Sequence, residues 1–225
     1  MKNTTITPFV AWCTLLSGVI GLVGLIFLFL FYALEAPAML QSGEPDTPPL
    51  FGTLNDASYI FVALLLLPGA LALYRAMQTQ APTLSRYGML VGVVGLSAMA
   101  VSQILYVPRI ITSQQAGPLL TVSAGIVGAW LLLVCIAGRS TGILPRGLVW
   151  LGILSGVGMI ILTVTYFATG GPEVSDIQAE LPGVPAMIGF GLGVLGQSIG
   201  WPVWAVWLGR VLLSDRTTAQ STIKV

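Results

Sequence analysis

Whatever chemistry this chain performs is done without histidine, and its only cysteines are Cys13 and Cys135. A Ser/His pair, a histidine-ligated haem and a histidine metal site are therefore excluded. Both lysines, Lys2 and Lys224, lie at the chain ends, so a Ser/Lys dyad and a Lys-linked retinal have no lysine to use. No pair of aspartates sits within the apolar runs, which removes an aspartyl protease. The expectation is a protein that is not an enzyme and carries no cofactor and no metal. Both cysteines fall near what reads as the cytoplasmic side, a reducing compartment that favours free buried thiols over a disulfide.

Amides and hydroxyls remain. Ser97, Ser123, Ser155, Gln197 and Ser198 lie deep in apolar runs, with Gln103, Thr163 and Thr165 nearer one end. Gln197 stands half-way along the last run, where an unpaired amide is expensive, so it needs a partner. Two partners fit, an interhelical hydrogen bond or a ligand. Beside it, Trp201, Trp204 and Trp207 recur every third residue around Pro202, which removes one backbone donor and can kink a helix; Pro68-Gly69 can act in the same way. The indole stripe reads as an interfacial anchor, with an apolar ligand or a partner helix as the alternative. Trp130, in the middle of its run, reads as packing between helices or against lipid.

Glycines form the most regular pattern. Gly189, Gly193, Gly196 and Gly200 share one helical face, Gly152 and Gly156 another, Gly88 and Gly92 a third, and Ser17 pairs with Gly21. Such small residues let backbones approach closely in lipid. Packing within the chain is the plain reading, and a partner subunit or second copy docking on the last helix is the functional one.

These residues must be positioned by helices in a membrane. Of 225 residues, 56% are hydrophobic and 8% charged, with a mean hydropathy of +0.93, a composition for which the solvent is lipid. Backbone polar groups need internal partners in hydrocarbon, so the apolar runs at about 9–34, 58–76, 87–106, 119–137, 148–168 and 186–213 predict six spanning helices, an all-α bundle within one membrane domain covering 1–225. Pro108 is expected to end the third by turning Val107 from helical angles. Ala36-Pro37-Ala38 imitates a signal-peptidase site, but the run before it is about twice the length of a signal core and reads as an uncleaved anchor.

Charge orients the bundle. With the N-terminus inside, Lys2, Arg75, Arg86, Arg139, Arg146, Arg210, Arg216 and Lys224 are cytoplasmic and Arg109 alone is outside. The positive-inside rule then predicts both termini in the cytoplasm. Glu35, Glu44, Asp46, Asp56, Glu173, Asp176 and Glu180 make the outer face acidic, and Asp215 lies inside. Tyr32, Tyr59, Tyr106 and Tyr166 mark outer helix ends; Trp12, Tyr74, Tyr87 and Trp150 mark inner ones. Glu35, Asp56 and Arg109 read as solvated groups at outer ends, leaving the helix interiors free of the ionisable residues that mark ion-coupled transport. The first outer loop, with Pro37, Pro45, Pro48 and Pro49, should be irregular. In the last, Val174, Ile177 and Leu181 beside Glu173, Asp176 and Glu180 suggest a short amphipathic surface helix.

Arg86 through Gly92 matches Arg146 through Gly152 in spacing, a weak internal repeat of the second hairpin on the next. The segment Gly138-Arg139-Ser140-Thr141-Gly142-Ile143-Leu144-Pro145-Arg146-Gly147-Leu148-Val149-Trp150-Leu151-Gly152, together with the ending Trp204-Ala205-Val206-Trp207-Leu208-Gly209-Arg210, resembles a widespread bacterial family of six-helix membrane proteins of unknown function. The resemblance implies architecture and a bacterial plasma (inner) membrane, and no active site. Three functions stay open: an accessory or scaffolding subunit of a membrane complex, a binder or carrier of an apolar or lipid-like molecule at Gln197 and the tryptophans, and an enzyme built on Asp176 and Glu180. The expected partners are the lipid bilayer and a membrane protein or second copy at helix six, with no nucleic acid.

Overall fold

Chains this apolar satisfy their backbone by coiling, and the computed structural model, which describes residues 8–37, 49–170 and 183–221, is helical almost throughout them. Six helices are long and apolar enough to cross a membrane. They are α1 (Pro8–Glu35), α2 (Leu50–Met77), α3 (Pro82–Tyr106), α4 (Ser113–Thr141), α5 (Arg146–Ala168) and α6 (Val184–Ser214). The surface helix expected at 173–181 lies outside the described residues, as do Pro45 and Pro48.

The helices run further than the apolar stretches. α2 begins at Leu50, eight residues before the predicted Ser58, and α4 at Ser113, six before Leu119. A capping box explains α4: the Thr112 side chain meets the Gln115 backbone, while Gln115 Oε1 accepts the Thr112 N–H at 3.1 Å. Pro118 then lies inside the helix instead of before it. α3 does end at Tyr106, yet Val107 keeps helical angles of −55° and −45°. The stop comes from Pro108, which has no N–H to continue the ladder, and from Arg109 at φ 61°.

Contacts between helices define a closed ring. Each helix packs on its sequence neighbours and α6 returns to α1. Close approaches show these neighbours to be antiparallel. Ser17 Oγ donates to Val62 O at 2.9 Å while Gly24 lies by Ser58 and Gly69 by Thr14. Gly18 meets Pro202 and Gly209 meets Leu15; Gly189 meets Thr165 and Gly193 meets Leu162. The ring thus has a proximal end, where α1 starts and α6 finishes, and a distal end opposite.

Two indoles close its interior. A Cβ on Gly92 of α3 would stand 2.6 Å from Trp130 Nε1 of α4, and one on Gly152 of α5 would stand 2.7 Å from Trp204 Nε1 of α6. Trp130 and Trp204 then meet edge to face, centroids 5.7 Å apart. The two glycines are the matching positions of the internal repeat, so in both halves a bare glycine backbone seats the indole of the following helix. Leu66, Leu96, Met99, Leu131 and Met159 pack with them, all fully buried.

The family-like turn has a local logic. α4 ends on Gly142 in the left-handed region at φ 67°, and Leu144 folds back onto the bare face of Gly138. Arg139 lies over the exposed Trp150 ring at 5.7 Å. Cys13 and Cys135 are both free and buried.

If indole seating holds the ring, Gly92→Val should lower stability by about 2 kcal/mol, the overpacking range, and red-shift tryptophan emission in detergent. The exposed helical Leu90→Val is the control, and equal effects of the two substitutions would refute the role of Gly92.

Candidate functional site

Along the ring interior, apolar and polar side chains separate. The proximal part is filled by Leu73, Met77, Leu144, Leu148, Leu208 and Leu212, whereas the distal part buries Asn55, Ser58, Ser102, Gln103, Gln197 and Ser198. Helical periodicity produces this. Leu96, Met99, Gln103 and Tyr106 follow at three- and four-residue steps on the inner face of α3, and Asn55, Tyr59, Val62 and Leu66 do the same on α2. Gln103 and Asp56 are equally far from the 78–81 turn, so at 1.5 Å per residue they stand at one height.

α6 reaches the same height by an irregularity. Leu195–Gly200 forms a π-helical turn, followed by buried Pro202, and this turn holds Gln197 and Ser198. The Tyr59 phenol lies near both Ser198 and Gln197. Gln197 thus has a neighbour of the interhelical kind that its depth demands. Asp56 is partly buried and accepts one long hydrogen bond, from Asn55 Nδ2 at 3.5 Å. Its charge reaches both Tyr59 and Tyr106, and the exposed Arg109 reaches Tyr106 from the rim.

Satisfaction within the cluster is uneven. Ser58 Oγ donates to Asn55 O at 2.6 Å and Ser102 Oγ to Met99 O at 2.9 Å. Gln103 is 1% exposed, and among the described residues its Oε1 has no hydrogen-bond partner. Deeper, the indole N–H groups of Trp130, Trp201 and Trp204 also lack acceptors. A buried acceptor without a donor costs about 1–3 kcal/mol, so Gln103 is the residue for which the fold gives no internal reason.

Several expectations are corrected here. Trp201 and Trp204 are 1% and 0% exposed, so they are core residues and not an interfacial anchor; of the stripe only Trp207, at 40%, faces outward, and it also covers Gly147. The reason is rotational: the π turn and Pro202 set the two indoles inward, Trp204 against the bare backbone of Gly152. The glycine face of α6 is no free docking surface either, because Gly189, Gly193, Gly196 and Gly200 all lie on α5, against Thr165, Leu162 and Ser155. Gly152 is filled by Trp204, and Gly156 by the Gly128 backbone of α4.

Nor are the distal acids merely solvated. Glu35 closes α1 and accepts the Phe51 N–H at 3.0 Å and the Gly52 N–H at 3.2 Å, capping α2 at the end where free amides point outward. Asp56, read as a loop-edge residue, is nearly two turns inside α2. The missed signal was the three- and four-residue spacing of Asn55, Tyr59, Val62 and Leu66, which continues the α2 pattern upstream of the apolar run. Among the described residues, no three acidic or sulfur side chains come together to hold a metal ion. Asp176 and Glu180 lie outside them.

The two most pronounced surface concavities face outward. One, of about 320 Å³, runs between α5 and α6 over Leu154, Ile161, Leu192 and Ile199; the other, of about 520 Å³, lies along α6 at Trp207 and Arg210.

Fold and site together define a multi-pass membrane protein, a six-helix bundle with a polar distal interior. Compared with known protein families, curated proteins and solved structures, the chain has no match.

Replacing Glu35 by Ala should remove the cap on α2 and cost about 1 kcal/mol, with faster hydrogen exchange at the Phe51 and Gly52 amides. Unchanged exchange at those two amides would show the cap to be idle.

Proposed function

We propose that this chain is a non-enzymatic membrane protein that binds a small ligand in the distal half of its ring. The observation that carries the proposal is Gln103 Oε1, buried and unpartnered on the inner face of α3 at the height of Asp56. Buried polar atoms in folded chains nearly all have a partner, and a bound molecule or ion is one way to supply the one missing here. The apolar-ligand form of this reading gives way to a polar one, since Trp201 and Trp204, two of the side chains it would use, are packed into the core.

Charge distribution supports a cytoplasmic proximal end, with Arg75, Arg86, Arg139, Arg146 and Arg210 there, and a distal site facing outward. The family resemblance supports a bacterial plasma membrane. An accessory-subunit reading retains one observation, the outward apolar groove between α5 and α6 over Leu154, Ile161, Leu192 and Ile199, an apolar surface of the kind a partner helix could cover. Native mass analysis in mild detergent separates this reading from the first: a strictly monomeric protein without a co-purifying subunit counts against it.

Two outcomes test the main proposal. Gln103→Leu, which removes the unpartnered carbonyl while keeping the volume, should stabilise the ligand-free protein by about 1 kcal/mol, measured as thermal unfolding in detergent. Loss of stability would show that Gln103 is held for the fold and would overturn the proposal. For orientation, a membrane-impermeant maleimide applied to intact cells should label Thr169→Cys and spare Ser140→Cys; the reverse pattern would invert the bundle.

A further inference from the structure

The cluster around Gln103 has a chemical sign. Its oxygens are the Asp56 carboxylate, Gln103 Oε1, the Ser198 hydroxyl and the Tyr59 phenol, with the Tyr106 ring at the same end and the amide nitrogens of Asn55, Gln103 and Gln197 as neutral donors. Among the described residues only Asp56 brings a full negative charge there, because Glu35, the other described acid at this end, is turned to the amides of α2. Asn55 supplies Asp56 with one long hydrogen bond, far short of the two or three that would satisfy an ionised carboxylate held away from water. Arg109 is exposed at the rim, so it does not fill the interior.

A single negative charge at the height of an unmatched carbonyl oxygen suits an occupant that is positive and accepts oxygen ligands. A divalent metal is poorly served by one carboxylate, since hard dications draw on several. An anion would meet amide and hydroxyl donors but also the Asp56 carboxylate, the one full charge in the cluster, which repels it. We infer that the distal cluster is a site for a small monovalent cation, an alkali ion or an ammonium group, with Asp56 as its counter-charge and Gln103 Oε1 as a neutral ligand; this rests on the binding reading of the same site. The two aromatic rings at this height suit an ammonium occupant, through attraction of the cation to the ring face. The carbonyl and hydroxyl oxygens serve either source.

The test is a titration of the full-length protein in neutral detergent with sodium, potassium and tetramethylammonium chloride, at ionic strength held constant with N-methylglucamine chloride. Unfolding is followed by tryptophan emission, which reports on Trp130, Trp201 and Trp204 beneath the site. At saturation one of the three cations should raise the midpoint by about 3 °C or more; sodium or potassium in the lead marks an alkali site, tetramethylammonium an ammonium site. Replacing chloride by gluconate should leave the shift unchanged. Asp56→Asn should abolish it, Asp56→Glu should retain part of it, and Gln103→Leu should weaken it at least tenfold in concentration.

If none of the three cations moves the wild-type midpoint beyond its value in N-methylglucamine, the cation assignment fails. The binding proposal has its own readout: Gln103→Leu stabilised without added cation leaves a ligand site of another class, whereas loss of both results removes the site. Stabilisation by Asp56→Asn with no cation response assigns the charge compensation to a proton and overturns the inference. A cation shift that survives in Asp56→Asn does so as well, by moving the site elsewhere.

Discussion

The structure depends on one packing device, an indole laid on bare backbone. Lipid gives helices no hydrophobic reason to associate, so close van der Waals contact and interhelical hydrogen bonds must hold a bundle together. Gly92 and Gly152 expose flat helix surface, and Trp130 and Trp204 cover it before meeting edge to face inside the ring. An aromatic pair of this geometry adds stability beyond its buried area. Because each indole comes from the helix after its glycine, α3 with α4 and α5 with α6 are locked as successive pairs, and the contact between the indoles joins the pairs behind α5. Glycine against backbone completes the remaining approaches, as at Gly128 with Gly156 and Gly158 with Gly196.

That device divides the interior. With two large rings in the middle and leucines and Met77 below, the buried polar side chains of the proximal half are small hydroxyls such as Thr14 and Ser85. The buried amides, Asn55, Gln103 and Gln197, collect at the distal end, the last of them on the π turn of α6. The π turn matters in a second way. An extra residue in one helical turn rotates the rest of the helix, and it is the change of phase at Leu195–Gly200 that puts Gln197 and Ser198 beside Tyr59 while Trp201 and Trp204 still point into the core.

Most of the fold was legible in the sequence, since hydropathy and length select spanning helices directly: all six appear, and their apolar centres coincide with the predicted runs. The ends were less legible. α2 and α4 begin before their apolar runs because polar residues near a membrane surface are as content in a helix as in a loop, and capping decides between them. Glu35 fixes the start of α2 from another helix, across a gap in sequence that no local pattern bridges. The eight-residue extension is what moves Asp56 from a loop edge to the inner cluster.

By itself, then, the sequence determined a lipid-soluble chain of six helices, its charge asymmetry, the absence of histidine chemistry and the presence of glycine faces, because each of these is a matter of composition or of spacing along one helix. Only the tertiary structure decided which surfaces those faces meet. The α6 glycines turn to α5 and two tryptophans turn inward. Gln103, unremarkable as one of several polar residues, becomes a buried oxygen without a partner. Helix rotation and ring closure are set by contacts between residues far apart in the chain, and periodicity within one helix does not contain them.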